Sequence, residues 1–575
     1  MQQKRWTLIP KTNLPTQELE EQLGLDKELV ELLQQRGVTN YKEAETFFRP
    51  QMSQIHDPLL MKDMDKAMDR VFEAFEKEEK ILVYGDYDVD GTTAVSLMYT
   101  FLIQHYKNVE FYIPDRYTEG YGVSYQGIDY ATNNDFKLII ALDCGIKAVE
   151  KVDYAKEKGV DFIICDHHRP GEILPNAEAV LDPKRKDCDY PYKELCGCGV
   201  GFKLVQALNQ ELGFEFSDLE EYFDLLVVSI ASDIVPVTGE NRVLAFFGLM
   251  KINHSPRKGI AEIIKLSSRK GEMNITDVVF TIGPRINAAG RMKSGMNAVK
   301  LLVSGEDETA RELGEFIESE NKARKNFDQS ITKEALDMIA DNEDFLNAKS
   351  TVLYNENWHK GVIGIVASRV IETHYKPTII LTESNGKAAG SARSVQGFDV
   401  YNAIDACSDL IEQFGGHMYA AGMTMPIENV DAFRKKFDQV VSETITEDQL
   451  VPEIKIDLEI TLDKLTPEAG GKFPKFYRII KRFAPFGPQN MHPVFMVKNV
   501  QAKYSKVVGE THLKLSAYQE DNPKQLFDCI GFGLAEFFEK INKNQYFDMV
   551  FVIEENTWNG NTKLQLNIRD IKINK

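Results

Sequence analysis

The sequence predicts a multidomain α/β protein: a parallel-sheet domain, a long connector helix, a second α/β domain and a C-terminal OB-like β-barrel. Three observations predict it. Short apolar runs alternate with helix-length segments between residues 80 and 168, the pattern of βαβ units feeding a parallel sheet. From Glu306 to Asp344 the chain is charged and rich in helix formers; a helix of about 35 residues spans roughly 50 Å. Beyond about residue 450, five or six short alternating strands with one intervening helix, LAEFFEKI, suggest a small Greek-key barrel.

Composition fits this division. At 575 residues the chain is too long for one core, and 43% hydrophobic with 27% charged residues is ordinary for globular protein. The sequence has no apolar run of about 18 residues, and MQQKRWTLIP does not read as a signal, so a cytoplasmic protein is expected. Seven cysteines, an odd and scattered set, fit reduced thiols. Cys196 and Cys198 lack a second pair at zinc-finger spacing and read as packing and loop residues. The net charge of -20 excludes indiscriminate polyanion binding; any contact with nucleic acid must come from local basic patches or metal ions.

In chain order, TQELEEQLG and KELVELLQQRG make residues 1–50 a helical segment closing on Pro50. KILVYG (80–85) is a buried strand, DYDVDGTT a turn, and AVSLMYTFLIQHY (94–106) a helix. NVEFYIP, KLIIALDCG and DFIICDHH are further strands, the last preceded by a helix ending at Gly159. EYFDLLVVSIASD reads as an apolar helix ending at Asp233. GPRINAAGRMKSG (283–295) shows no strong period and reads as a loop carrying Arg285, Asn287 and Arg291 among small residues that allow close backbone approach. STVLYNENW and KPTIILTES are strands around the helix GIVASRVIETHY, followed by glycine-rich loops. In the last region Lys498, Lys503, Lys506 and Lys514 with Tyr504 suit a groove for single strands, although alternating aromatics also build barrel cores.

The chemistry gathers where strands end, because parallel sheets bind ligands beyond their carboxyl ends. KILVYG runs into Asp86, Asp88 and Asp90; KLIIAL into Asp143; DFIIC into Asp166, His167 and His168. So many carboxylates at one edge repel one another unless cations neutralise them. A calcium loop of the EF-hand type is excluded, since position 12 counted from Asp86 is Leu97 rather than Glu. Asp233, alone at the end of its apolar helix, joins this set as a ligand candidate. Further on, GSARS supplies Ser391, Arg393 and Ser394, and FGGHMYAAG supplies Gly415, Gly416 and His417. Glycine amides and a guanidinium fork suit an anion, and the lack of a Walker lysine argues against nucleoside triphosphates.

The ordered set DYDVDG, ALDCG, CDHH and ASDIVP resembles the DHH phosphoesterase superfamily. YIPDRYTEGYG, GPRINAAGRM, GVIGIVASR, GSARSVQGFD, FGGHMYAAG and APFGPQN are similar to its RecJ-like exonuclease branch, and the likeness covers about residues 50–500. The resemblance implies metal ligands at Asp88, Asp90, Asp143, His167 and Asp233, with Asp86 and Asp166 binding metal or orienting ligands. Carboxylates and imidazole without thiolate suit Mn2+ or Mg2+, and two ions about 3.5–4 Å apart suit a phosphodiester. It implies that His168 contacts the scissile phosphate while Asp166 hydrogen-bonds a ligand, a division left open because adjacent strand residues face opposite ways. It also implies that Arg285, Asn287 and Arg291 face the cleft, that Ser391, Arg393 and His417 hold phosphate, and that Arg116 meets a terminal 5′ phosphate.

On this basis the expected domains are an N-terminal segment (1–50), a DHH catalytic domain (51–304), a connector (305–347), a DHH-associated domain (348–448) and an OB-like domain (449–575). The implied activity is 5′-to-3′ release of mononucleotides from single-stranded DNA in repair and recombination. Implied partners are a single-strand-binding protein and a RecQ-type helicase, with no membrane, for a monomer. Two rivals are a DHH phosphoesterase of short oligonucleotides or cyclic dinucleotides, and a non-catalytic DHH scaffold that binds single strands.

Overall fold

The computed structural model describes residues 4–292, 294–542 and 545–574. The chain forms two compact units, one of residues 50–330 with 485–490, the other of residues up to 49, 331–484 and 491 onward.

The first unit is built on five parallel strands in the order Val109–Tyr112, Lys80–Gly85, Phe136–Leu142, Asp161–Cys165, Ala179–Leu181. Their apolar runs are unbroken because both faces are covered. Ile81, Val83, Leu138, Ile140 and Ile163 enter one core; Leu82, Tyr84, Ile139, Phe162 and Ile164 enter the other. The expected parallel sheet is therefore present, with Ala179–Leu181 as a strand the sequence reading missed. The helix after Lys80–Gly85 starts at Val89, earlier than expected, because Asp88 caps it by accepting from the Gly91 amide at 3.0 Å. Helix Phe223–Ser232 is buried along nearly its whole length, which accounts for its lack of a polar face.

Two expectations are corrected here. Cys198 is not a loop residue but lies in the first turn of helix Gly197–Glu211, which Cys196 caps from just outside; both are buried thiols, in keeping with the expected packing role. GPRINAAGRM is not a loop but helix Gly283–Met292, entered through a π-helical turn, Val278–Ile282. Its small residues are explained by contact with the DYD segment, since a Cβ on Gly290 would lie 2.7 Å from the Tyr87 carbonyl oxygen. Packing overrides weak local pattern. The APFGPQN stretch joins this unit through Val237, whose amide donates to the Pro488 carbonyl at 2.8 Å.

The second unit holds a five-stranded mixed sheet in the order Gln413–His417, Ala420–Met425, Lys387–Arg393, Thr378–Ser384, Thr351–Tyr354. The two glycine-rich stretches expected as loops are thus strands; antiparallel pairing holds them despite poor intrinsic β preference. Phe433, Phe437 and Val441 of helix Val430–Thr444 cover one face. Trp358, Val362 and Val366 cover the other with Ile331, Ala335 and Ile339 from the long helix Asp307–Ala340, the expected connector. The C-terminal strands close into a barrel: Phe495–Val508, His512–Gln519, Phe527–Gly531, Asn561–Ile573 and Phe547–Trp558, the last pairing back onto the first. Closure removes the open edges of the sheet. The N-terminal segment is not purely helical: Arg5–Leu8 is a strand paired in parallel with Glu453–Ile456, ahead of helices Gln17–Leu23, Lys27–Gln35 and Tyr41–Phe48.

Candidate metal centre

At the carboxyl edge of the parallel sheet, Asp90, Asp143, His167, His168 and Asp233 converge. Asp143, His167 and His168 offer ligand atoms within 4.8 Å of one another, as do Asp90, His167 and Asp233. His167 is the hinge of both groups. Its Nδ1 lies 3.0 Å from the Leu195 carbonyl, so Nδ1 carries the proton and donates, leaving a bare lone pair on Nε2. That Nε2 lies 3.3 Å from Asp143 Oδ1, 3.5 Å from Asp233 Oδ2 and 3.8 Å from Asp90 Oδ2.

Backbone geometry delivers these groups. Asp143 follows Phe136–Leu142 in left-handed conformation, φ 58°, and Ile234, immediately after Asp233, has φ 60°. A β-branched residue there is strained, and such strain clusters at functional sites. Asp90 is held by helix Gly197–Glu211: the Gly197 amide donates to its Oδ2 and the Cys198 amide to its Oδ1, each at 2.7 Å, and Ser229 Oγ adds a third bond at 2.6 Å. A helix N-terminus favours such an anion. Gly197 has no substitute, because a Cβ there would lie 2.5 Å from Asp143 Cβ.

The electrostatics demand a cation. Burial, then the charges of Asp90, Asp88 and Asp233, push Asp143 well above the carboxylate range. Burial and neighbouring carboxylates raise Asp88, and push Asp86 and Asp233 up to about 8. Burial also lowers His167, favouring its neutral, ligand-competent form. Asp143 Oδ1 and His167 Nε2 are buried with no hydrogen-bond partner among the described residues. Buried acceptors facing one another without a donor are unfavourable; a divalent ion satisfies them, and oxygen with imidazole nitrogen is the donor set for Mn2+ or Mg2+.

His168 is in a different state. Burial opposes its charge, but Asp166 raises it to about 9, its Oδ1 accepting from His168 Nδ1 at 2.8 Å. Burial would raise Asp166, yet His168 and the amides of Ile146 and His168 hold it below the usual range. Asp166 also accepts from the His167 amide at 2.8 Å, so it orients both histidines and has its own oxygens occupied. Tyr121 OH lies 3.4 Å from His168 Nε2, and Arg116 stacks over Tyr87 at 5.1 Å.

Among the remaining expected residues, Arg285 is buried and committed to Glu318 at 2.7 Å and to the Thr281 carbonyl at 2.7 Å. These bonds give it a packing role in place of the expected cleft-facing one. Asn287 is half-buried on the same helix, and Tyr117 OH donates to the carbonyl of Arg291. In the second unit, cross-strand register places Arg393, Ala420 and His417 in one row, and Ser391, Gly422 and Gly415 in the next row on the same face. Arg393 donates to Ser391 Oγ at 3.0 Å, has no carboxylate partner among the described residues, and is lowered by burial. Ser394 Oγ instead donates to the Phe398 carbonyl at 2.7 Å, and Gly416, at φ 152°, is paired with Ala421, where a Cβ would lie 2.3 Å from the Ala420 carbonyl oxygen.

Sequence reasoning missed the Gly197 and Cys198 amides, Ser229, Leu195, Tyr121 and Asp182. Asp182 directly follows strand Ala179–Leu181, fully buried, with Oδ2 unpartnered among the described residues and its carboxyl pushed up to about 7, chiefly by burial. The AVLD run repeats the strand-then-acid pattern and could have revealed it. The backbone donors have no side-chain signature.

Comparison with known proteins agrees with this architecture. Residues 80–230 match the DHH family, N-terminal domain; 347–443 match the DHHA1 domain; 456–570 match the RecJ OB domain. The single-stranded-DNA-specific exonuclease RecJ of Bacillus subtilis is 36% identical over 99% of this chain and 71% of its own length. The same-named protein of Escherichia coli is 29% identical over 97% of this chain and 98% of its own. The crystal structure of RecJ in complex with Mn2+ from Thermus thermophilus superposes with a TM-score of 0.82 at 25% identity, covering 99% of this chain and 80% of that one. With a relative 36% identical over 99% of this chain and 71% of its own length, the chain belongs to the RecJ family of DHH proteins.

Proposed function

We propose that the chain is a divalent-metal-dependent exonuclease that hydrolyses single-stranded DNA from the 5′ end to mononucleotides, in DNA repair and recombination. The observation that carries this reading is the buried pair His167 Nε2 and Asp143 Oδ1, 3.3 Å apart and without a donor among the described residues, within a ring of carboxylates. Asp88, Asp90, Asp143, His167 and Asp233, with Asp86 beside them, hold the ions. When bound, such ions supply Lewis acidity to a phosphodiester and make water a nucleophile at neutral pH.

The chain's own residues set up the rest. Leu195 fixes the tautomer of His167, and Asp166 fixes the ring of His168. The His168 imidazolium presents its Nε2 proton to a non-bridging oxygen of the scissile phosphate, where it stabilises developing charge. Ser391, Arg393 and His417, over the glycine floor of Gly415, grip a backbone phosphate of the strand, and Arg116 meets the 5′ phosphate. The enzyme acts as a monomer with a single-strand-binding protein and a RecQ-type helicase supplying its strands.

The test is product analysis of single-stranded and blunt duplex DNA labelled separately at the 5′ and 3′ ends, with Mn2+, Mg2+ or chelator. Release of a 5′-labelled mononucleotide from the single strand alone, abolished by chelator, is the expected result. Cleavage restricted to very short oligonucleotides overturns it.

A further inference from the structure

Beside the metal centre, a loop over residues 115–124 leads from strand Val109–Tyr112 to helix Tyr125–Asn133 and turns two of its side chains toward the site. Tyr121 OH lies 3.4 Å from His168 Nε2, and the Tyr121 ring meets Tyr87 edge-on with centroids 6.0 Å apart. Arg116 stacks over the face of the same Tyr87 at 5.1 Å. Its guanidinium has no ion pair among the described residues. Burial and Asp88 raise Asp86, and the nearby Arg116 charge opposes that rise, which puts the guanidinium within electrostatic reach of the metal-binding edge. A cation resting on an aromatic face keeps its donors available to an anion.

One side chain holds this loop in place. Glu119 accepts from the Tyr112 hydroxyl at 3.0 Å, from the Asp115 amide at 2.8 Å and from Ser124 Oγ at 2.6 Å. Tyr112 ends a strand of the parallel sheet, and Ser124 caps the following helix by accepting from the Gly127 amide at 2.9 Å. Glu119 therefore clips both ends of the loop to regular structure. Buried Tyr84 completes the frame: its hydroxyl donates to the Gly122 carbonyl at 3.0 Å and accepts from the Ser124 amide at 3.1 Å. Asp115, by contrast, closes only a local turn, accepting from the amides of Tyr117 and Thr118 at 2.9 Å. Glu119 has no lysine or arginine partner among the described residues, so an ion pair does not account for it. An ionised carboxylate accepts and never donates, which suits three converging donors.

We propose that Glu119 is a positioning residue for recognition of the 5′ end: by closing the loop onto Tyr112 and Ser124 it fixes Arg116 and Tyr121 around Tyr87, and so sets the preference for a strand carrying a 5′ phosphate over one ending in a hydroxyl. This rests on the reading of Arg116 as the contact to the 5′ phosphate.

The test is the ratio of kcat/KM for 5′-phosphorylated against 5′-hydroxyl single strands of one sequence, measured with Mn2+ for the full chain and its variants. Loss of a charge-assisted phosphate contact lowers that ratio about tenfold or more in Arg116→Ala. Glu119→Ala lowers it by a similar factor, chiefly through a raised KM for the phosphorylated strand. Glu119→Gln, whose remaining carbonyl oxygen still accepts from the Asp115 amide and the Tyr112 hydroxyl, recovers much of the ratio. Calorimetric Mn2+ binding by Glu119→Ala stays at the wild-type level. A ratio that falls in Arg116→Ala but not in Glu119→Ala overturns the inference and leaves the proposed function standing. Equal losses on the two strands, or loss of Mn2+ binding, also overturn it, because Glu119 would then serve the fold and not the 5′ end. A wild type without the preference, or Arg116→Ala that keeps it, defeats instead the reading of Arg116 on which the inference rests.

Discussion

At the scale of single residues, the centre is organised by a conflict that a divalent cation resolves and that, without one, protonation of the carboxyls relieves. Asp143 is buried among carboxylates, and its Oδ1 faces a histidine nitrogen that carries no proton. Asp143→Ala should therefore cut the cleavage rate by roughly three orders of magnitude or more. In the metal-free state the same change should leave the fold intact or stabilise it, because it removes a buried acid whose ionisation burial and neighbouring carboxylates oppose. Circular dichroism beside a turnover assay checks both halves. The pH dependence of the metal-free protein follows from the same conflict. Asp86 and Asp233, pushed up to about 8, keep protons in the folded state that the unfolded chain releases above about pH 4. The folded state binds more protons in that window, so stability should fall as pH rises from about 4 to about 8. Denaturant midpoints across that range test it, and saturating Mn2+ should flatten the curve.

At the scale of elements, the positions of the acids were legible and their supports were not. Three apolar runs ending in Asp86, Asp143 and Asp166 announce strands that end at one sheet edge, and the structure places them there. The donors that hold Asp90 are backbone amides of Gly197 and Cys198, which leave no mark in a side-chain pattern. Helix Gly283–Met292 and the strands Lys387–Arg393 and Gln413–His417 were hidden for a related reason: glycine and alanine there serve close packing, so local preference points the wrong way. The short strand Arg5–Leu8 exists only through its pairing with residues far along the chain. Two predictions belong here. Gly197→Ala forces a Cβ to within 2.5 Å of Asp143 Cβ, and should cost about 1–3 kcal/mol of stability together with most of the activity. Arg393→Ala should raise KM about tenfold or more with a smaller effect on kcat, since it removes a charge-assisted bond to phosphate rather than to the reacting atoms. Equal losses in kcat and kcat/KM would move Arg393 into the chemical step.

At the scale of the whole molecule, each unit carries its own kind of anion chemistry. The unit with the parallel sheet concentrates negative side chains and must recruit cations; the other presents Arg393 on a glycine floor and a lysine-bearing barrel. The division lets an acidic chain act on DNA without a basic surface overall. Because the ions bind the folded state alone, Mn2+ should raise the thermal midpoint, by an amount that grows with its concentration, and Asp143→Ala should abolish the shift. The dependence of cleavage on bound metal is measured most directly by a calorimetric Mn2+ titration of wild type and Asp143→Ala, run beside cleavage of a 5′-labelled single strand at each metal concentration. Two ions should bind per wild-type chain, cleavage should rise with their occupancy, and both should be lost in the variant. Cleavage that persists in excess chelator, or full activity in a variant that no longer binds the ions, would contradict it.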